Sequence, residues 1–275
     1  MANKLIVFVS GSSGSGKNTV INKLLENNKN YGFITSYTTR NMREGDVEGK
    51  NYYFVSREDF ETKIKDGDML EFDFFSGNYY GIGKEAISKR LETCDVVLKD
   101  LTVAGVKNSK ERVLDNKIIS FFFNVEKREL VDRLIKRGEK DIKSRMKVYA
   151  KEQKRMFDSD YVIRNIELDN TLTVIKTLID LEQQNKFYYP TKSCQEILDK
   201  KVNKYVNKFN RGKKVKPIKI AIKSGKVYIL DGVHRYLASL KCGKHLCKIV
   251  VNNAEVNVSA DLDTKEWGKI VKMYK

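Results

Sequence analysis

The most specific chemistry in this 275-residue chain lies in Gly11-Ser12-Ser13-Gly14-Ser15-Gly16-Lys17-Asn18-Thr19. The glycines let the backbone turn sharply and aim several N–H groups at one point, and a lysine follows the last of them. An apolar run, residues 5–10, precedes the loop; Val20, Ile21, Leu24 and Leu25 follow at helical spacing. Strand, loop and helix in that order form a phosphate-cradling P-loop, in which backbone amides and the positive end of the helix dipole receive anionic oxygens. Gly11, Ser13, Gly14, Gly16, Lys17, Asn18 and Thr19 are therefore expected to hold the phosphates of a nucleoside triphosphate, ATP being the expected donor, with Lys17 reaching the β- and γ-phosphates. Mg2+ is the expected cofactor. Asn18 stands where Ser or Thr usually touches the metal, so its amide oxygen, or Thr19 through water, is expected to substitute.

A second set lies downstream. Residues 36–54 place Ser36, Arg40, Arg43 and Tyr52 close in sequence, and guanidinium forks pair with phosphate oxygens bidentately. With the P-loop, this stretch resembles the guanylate kinase family, whose signature has the form S-x-T-T-R-x-x-R-x-G-E-x-x-G-x-x-Y. Glu71 followed by Ser76-Gly77-Asn78-Tyr79-Tyr80-Gly81 is similar to that family's G-N-Y-Y-G turn and the acidic residue before it. The resemblance covers about residues 4–184. It implies that Ser36, Arg40, Arg43, Tyr52 and Tyr80 hold the phosphate of GMP, that Glu71 accepts the guanine N1–H and N2–H2, and that Asp100 serves the same GMP site. It further implies that Arg133, Arg137 and Arg145 close over the phosphates as a lid and, with Lys17, form the catalytic set, while Asn165 fits an adenine-side contact. A carboxylate suits the two guanine donors and rejects adenine by leaving the wrong base unpaired.

Besides Asn18, two positions depart from the family pattern: Ile82 replaces a Ser or Thr that bonds the guanine, and Thr102 replaces the second acid of an acidic-x-Asp pair. The segment between Gly138 and Arg145 is about one helical turn short. The acceptor is thus expected to be GMP or dGMP, with an altered purine preference left open. The competing expectation is a nucleotide-sensing or DNA-binding fusion protein with weak or altered kinase activity.

The elements that must position these groups follow from apolar periodicity. Strands are expected at residues 95–101, 117–125 and 160–164, and helices at 129–137, 143–157 and 171–184. That pattern gives an α/β unit with a parallel sheet over residues 1–185, and the resemblance implies that this unit is a P-loop nucleoside monophosphate kinase. Around residues 183–190 a polar stretch leads to Pro190, which marks a linker. The charge steps at the same place: of the net +17, residues 186–275 hold 21 Lys/Arg against 7 Asp/Glu, leaving 32 against 29 before them. Residues 186–275 read as a small basic α+β domain, with a helix near 195–209, strands at 218–222, 227–230 and 247–251, and a helix after Asp231-Gly232. The run ending Asp231-Gly232-Val233-His234-Arg235 resembles the ParB/sulfiredoxin-like fold, whose G-x-H-R motif binds nucleotide phosphate. Gly232, His234 and Arg235 are candidates for that role, and Val233 stands where a sulfiredoxin needs its cysteine. Excess positive charge there points to nucleic acid or nucleotide as a partner, with solubility as the plain alternative. No segment approaches the roughly 20 apolar residues of a membrane span, so no membrane partner is expected. Four cysteines without CxxC spacing suit a reducing, cytoplasmic compartment and no zinc.

Overall fold

A computed structural model describes residues 4–75, 77–112, 116–191, 193–194, 197–251, 256–258 and 263–274. Ser76 of the turn motif and Gln195, the expected start of the basic helix, lie outside them. The chain divides into two compact units, residues 1–10 with 17–120, and residues 11–16 with 121–275.

In the first unit the elements are β1 (Leu5–Ser10), α1 (Lys17–Asn27), β2 (Tyr31–Phe33), β3 (Ser36–Thr38), β4 (Tyr52–Phe54), α2 (Arg57–Lys65), β5 (Met69–Phe75), β6 (Asn78–Gly83), α3 (Lys84–Thr93), β7 (Val96–Asp100) and α4 (Val103–Glu111). Every residue of β1 is buried, as its uninterrupted apolar run requires of a parallel strand covered on both faces. It pairs in parallel with β7, which pairs in parallel with β2. A second sheet has the order β4-β3-β6-β5, parallel between β3 and β4 and antiparallel elsewhere. Tyr37, Tyr53, Phe72 and Tyr79, from one face of this sheet, pack into a core with Phe8, Phe60, Ile87 and Val97. The helix starts are chemically marked: Ser56 caps α2 by accepting from Asp59 N, and Thr102 caps α4 by accepting from Gly105 N at 3.0 Å.

β8 (Lys117–Asn124) leads into the second unit, which continues with α5 (Lys127–Lys136), α6 (Ile142–Arg155), a 3-10 turn, β9 (Tyr161–Arg164), α7 (Leu168–Gln183), β10 (Tyr189–Pro190), α8 (Asp199–Asn210), β11 (Ile218–Lys223), β12 (Lys226–Asp231), α9 (Val233–Cys242), β13 (Lys248–Val250) and α10 (Thr264–Tyr274). The strand order here is β8-β9-β13-β11-β12-β10, parallel throughout except between β11 and β12. The boundary expected at residues 185/186 falls inside this unit, because β13 pairs with β9 through Lys248 with Tyr161 and Ile249 with Val162. The physical reason is an edge: β9 would otherwise present a row of unpaired backbone groups beside β8. Pro190, expected in a linker, instead belongs to β10 and pairs with Ile229. α10 has no counterpart in the sequence reading, and it carries the fully buried Trp267.

Candidate active site

Strand alternation in the four-stranded sheet decides which side chains meet. Ser36 is opposite Tyr52, Thr38 is opposite both Phe54 and Tyr80, Asp73 is opposite Tyr80, and Glu71 is opposite Ile82. Directly opposed residues share a face and successive residues alternate, so Ser36, Tyr52, Tyr80 and Glu71 all lie on the face turned away from Tyr37, Tyr53 and Tyr79. The Tyr52 and Tyr80 rings meet edge to face at 5.9 Å. The Arg40 guanidinium lies 5.5 Å from the Tyr52 ring centre and 5.4 Å from that of Phe54, and its Nη2 pairs with Asp46 Oδ2 at 2.8 Å. Asp46 also accepts from Arg43 N at 2.7 Å, and the Arg43 bond followed by Arg40 holds its carboxyl below the ordinary range. Burial, then the neighbouring Tyr80, raises the Tyr52 phenol; Arg40 and Asp100 act on it as well. Ser36, Arg40, Tyr52, Tyr80 and Asp100 therefore form one neighbourhood, with Arg43 on its exposed rim. Asp46, which organises both arginines, was not singled out from the sequence, although its place in the signature was visible.

Glu71 is largely withdrawn from solvent. Burial first, then repulsion from Asp73, pushes its carboxyl up to about 7, against the opposing pull of Lys99 and Arg112. A Cβ on Gly105 would stand 2.8 Å from Glu71 Oε1, so any larger residue at that point of α4 would push the Glu71 carboxyl aside. Neither Gly105 nor Lys99 had a sequence signal, because both act through the tertiary approach of β5 to α4 and β7. Of the departures, Thr102 is a helix cap, and Ile82, 1% exposed, belongs to the core.

The phosphate loop belongs to the second unit up to Gly16. Gly11, Gly14 and Gly16 have φ of 135°, 85° and 90°, a left-handed conformation that favours glycine. Side chains there also leave no room: a Cβ on Gly16 would come within 2.6 Å of Asn165 Nδ2. Asn165 is buried, donates to Ser15 O at 2.7 Å and accepts from Thr171 Oγ1 at 2.9 Å. Its amide thus clamps the loop from the side of β9. Ser15 Oγ is buried and, among the described residues, has no hydrogen-bond partner, which suits a loop awaiting phosphate oxygens.

Of the arginines expected to form a lid, Arg137 bonds this loop and Arg133 bonds the asparagine that clamps it. Arg137 Nη2 donates to Ser13 Oγ at 3.1 Å, and Arg133 Nη2 donates to Asn165 O at 3.0 Å while pairing with Glu129 at 2.6 Å. Arg145 on α6 pairs with Glu139 Oε2 at 2.9 Å, and Arg137 approaches the same oxygen at 3.5 Å, so one carboxylate organises both cations. Glu139 was another residue the sequence reading passed over.

Lys17, Asn18 and Thr19 form the first turn of α1, with Asn18 and Thr19 exposed. Among the described residues no cluster of three His, Cys, Asp or Glu could hold a metal ion. A hard amide oxygen at Asn18 fits a cation that arrives with phosphates and keeps most of its waters.

Gly232, His234 and Arg235, the candidate phosphate-binding turn, are each engaged within the fold. Gly232 has φ 102°, Arg235 is 8% exposed, and its guanidinium pairs with Asp231 at 2.6 Å and donates to Pro217 O at 2.7 Å and Lys216 O at 3.2 Å. His234 Nε2 accepts from Leu198 N at 3.2 Å. No helix of the described residues is long and apolar enough to cross a membrane.

The family model described as guanylate kinase matches residues 2–182. A guanylate kinase of Clostridium tetani is 37% identical over 186 residues, covering 66% of this chain and 88% of the relative. One from Lactococcus lactis is 35% identical over 181 residues, covering 65% and 88%. The crystal structure of guanylate kinase from Anaplasma phagocytophilum superposes with a TM-score of 0.52 at 28% identity, covering 66% of this chain and 88% of that one.

Proposed function

The chain belongs to the guanylate kinase family, and we propose that it moves the γ-phosphoryl group of ATP onto the phosphate of GMP, giving ADP and GDP. The observation that carries this reading is the one sheet face shared by Ser36, Tyr52, Tyr80 and Glu71, with Arg40 over its aromatic end. On this reading Arg40, Arg43, Ser36 and the two tyrosines take the GMP phosphate, and Glu71 takes the N1–H and N2–H2 of guanine. A GMP phosphate oxygen attacks the γ-phosphorus in line while the bond to the β-phosphate oxygen breaks, so catalysis rests on positioning and on positive charge about the equatorial oxygens. Lys17, Arg133, Arg137 and Arg145 supply that charge. Asn18, and Thr19 through water, would hold a Mg2+ ion, which when bound would supply neutralisation of the phosphate charge.

Coupled assays on the full chain with ATP, Mg2+ and each of GMP, dGMP, AMP and UMP test the proposal. Turnover of GMP or dGMP far above AMP and UMP is expected, and no turnover of any purine monophosphate overturns it.

A second reading concerns residues 186–275, taken as a ParB/sulfiredoxin-like accessory to the kinase. Arg211, Lys213, Lys214, Lys216, Lys219 and Lys226 are all exposed between the end of α8 and β12, which favours a polyanion such as nucleic acid. Because Arg235 is spent inside the fold, this surface carries the reading rather than the Gly232 turn. Binding of a duplex or single-stranded oligonucleotide at about 50 mM salt should fall steeply by about 200 mM; no binding at the lower salt leaves only solubility as the role of the charge.

A further inference from the structure

β5 is not a regular strand where it carries Glu71. Its pairing with β6 runs from Met69 with Gly83 to Glu71 with Ile82, so two steps on β5 meet one on β6 and Leu70 is the extra residue of a β-bulge. The side chains agree. Consecutive residues of a regular strand face opposite ways, yet Met69 and Leu70 are both buried in one core while Glu71 is turned to the other face. A bulge interrupts the ladder and re-aims the side chains beside it, so the angle at which Glu71 leaves the strand needs support from outside the ladder.

That support comes from the end of α4. Arg112 closes the helix by donating its backbone N–H to Asn108 O at 3.2 Å, and its Nη1 donates to both Met69 O and Leu70 O at 3.3 Å. Its guanidinium also stands 5.9 Å from the ring centre of Phe72, the residue after Glu71. Arg112 lies about two turns beyond Gly105 on the same side of α4. Gly105 is where the helix meets the Glu71 side chain, since a Cβ there would stand 2.8 Å from Oε1 and 3.2 Å from Cγ. One side of one helix therefore meets β5 both at the Glu71 carboxylate and at the peptide groups just before it.

We propose that Arg112 is a positioning residue for base recognition: by tying the Met69–Leu70 bulge to the end of α4, it holds the Glu71 carboxylate in place for the two guanine donors. A guanidinium suits the task, because its charge strengthens the bonds to both carbonyls and its stem covers the Phe72 ring. The proposal rests on the reading that Glu71 binds guanine, and the experiment separates the two.

The full chain carries Arg112→Met, which keeps an apolar stem but no donor, and Arg112→Lys, which keeps a charged donor for one carbonyl. Each is also made beside Glu71→Gln, and all are checked for folding by thermal melting. Arg112 is exposed, so water can take over its carbonyl partners and Arg112→Met should melt within a few degrees of wild type. Its KM for GMP should rise about tenfold while kcat stays within about twofold and KM for ATP does not move; Arg112→Lys should fall between, near threefold. A general loosening of the fold would move both KM values. Beside Glu71→Gln, where the acceptor is already lost, Arg112→Met should cost less than about twofold further. An unmoved KM for GMP in Arg112→Met overturns the proposal. So does a tenfold cost that persists in full beside Glu71→Gln, because Arg112 would then act through another group. Should Arg112→Met fail to fold, the same comparison is read from Arg112→Lys in the two backgrounds. If Glu71→Gln alone keeps the full preference for GMP over AMP, the reading that Glu71 binds guanine falls, and the proposal with it.

Discussion

The Glu71 carboxyl keeps its proton in the folded chain up to about pH 7, against an ordinary value of 4.5. Between those two pH values the folded state binds more protons than the unfolded chain, so stability is full below about 4.5 and declines as pH rises through 7. The gap corresponds to ~3 kcal/mol surrendered at pH 8 to keep a charged acceptor in the site. Glu71→Gln should therefore be more stable than wild type in urea at pH 8 by up to ~3 kcal/mol, with the difference closing near pH 4.5. The same variant should lose about 100-fold in kcat/KM for GMP, since its amide N–H2 would face the guanine N2–H2. Equal stability of the two proteins at pH 8 would count against a strained carboxylate. Asp46 offers the complementary case, a residue whose work is to hold others. Its removal in Asp46→Ala frees Arg40 and the Arg43 backbone, and KM for GMP should rise about tenfold with kcat within about twofold. A collapse of kcat at unchanged KM would move Asp46 from ground-state binding to the transition state.

Among the elements, what could be read from the sequence was what periodicity encodes over a long run. β1, the glycine loop and α1, then β7, β8, β9 and α5 to α7, all stand within a few residues of their expected places. The four-stranded sheet did not emerge as strands, because β3 and β4 are three residues each, too short to alternate, and their register is set by long-range pairing. Its candidate residues were nonetheless named before their shared face was known, Arg40 and Tyr52 from type and spacing and Ser36, Glu71 and Tyr80 through the resemblance. The residues that went unread, Asp46, Lys99, Gly105 and Glu139, act on a partner rather than on a ligand, and one sequence does not show which side chains approach one another. Gly105 makes the point testable. Alanine there improves helix propensity in α4 by up to ~1 kcal/mol, yet its Cβ would overlap the end of the Glu71 side chain, which moves more easily than backbone. Gly105→Ala should keep the melting temperature within a few degrees of wild type while raising KM for GMP tenfold or more. An unaffected KM would mean that the Glu71 carboxylate needs no fixed place.

At the scale of the second unit, the charge step near residue 185 was legible, but it does not coincide with a step in packing. Glu182 on α7 accepts hydrogen bonds from the hydroxyls of both Tyr161 and Tyr188, and Trp267 Nε1 donates to Tyr188 O at 2.7 Å. Tyr161, Tyr188 and Trp267 are all buried, and Tyr236 packs edge to face on Tyr188. A chain ending at residue 185 would lose Tyr188, Trp267 and β13 together, leaving Tyr161 uncovered and β9 with an open edge. Removal of Trp267 alone, as Trp267→Ala in the full chain, should cost ~3–5 kcal/mol. At roughly 2–4 °C for each kcal/mol in a unit of this size, residues 1–185 should melt more than about 10 °C below the full chain, or fail to stay in solution. Because Trp267 is the chain's one tryptophan, its fluorescence reports this packing directly, and in urea it should change together with the far-ultraviolet signal of the full chain. A fragment of residues 1–185 that melts where the full chain does, or a tryptophan transition well ahead of the helical one, would make residues 186–275 an appendage that the kinase fold can do without. Coincident transitions would instead mean that this extension is the cover its last kinase strand requires.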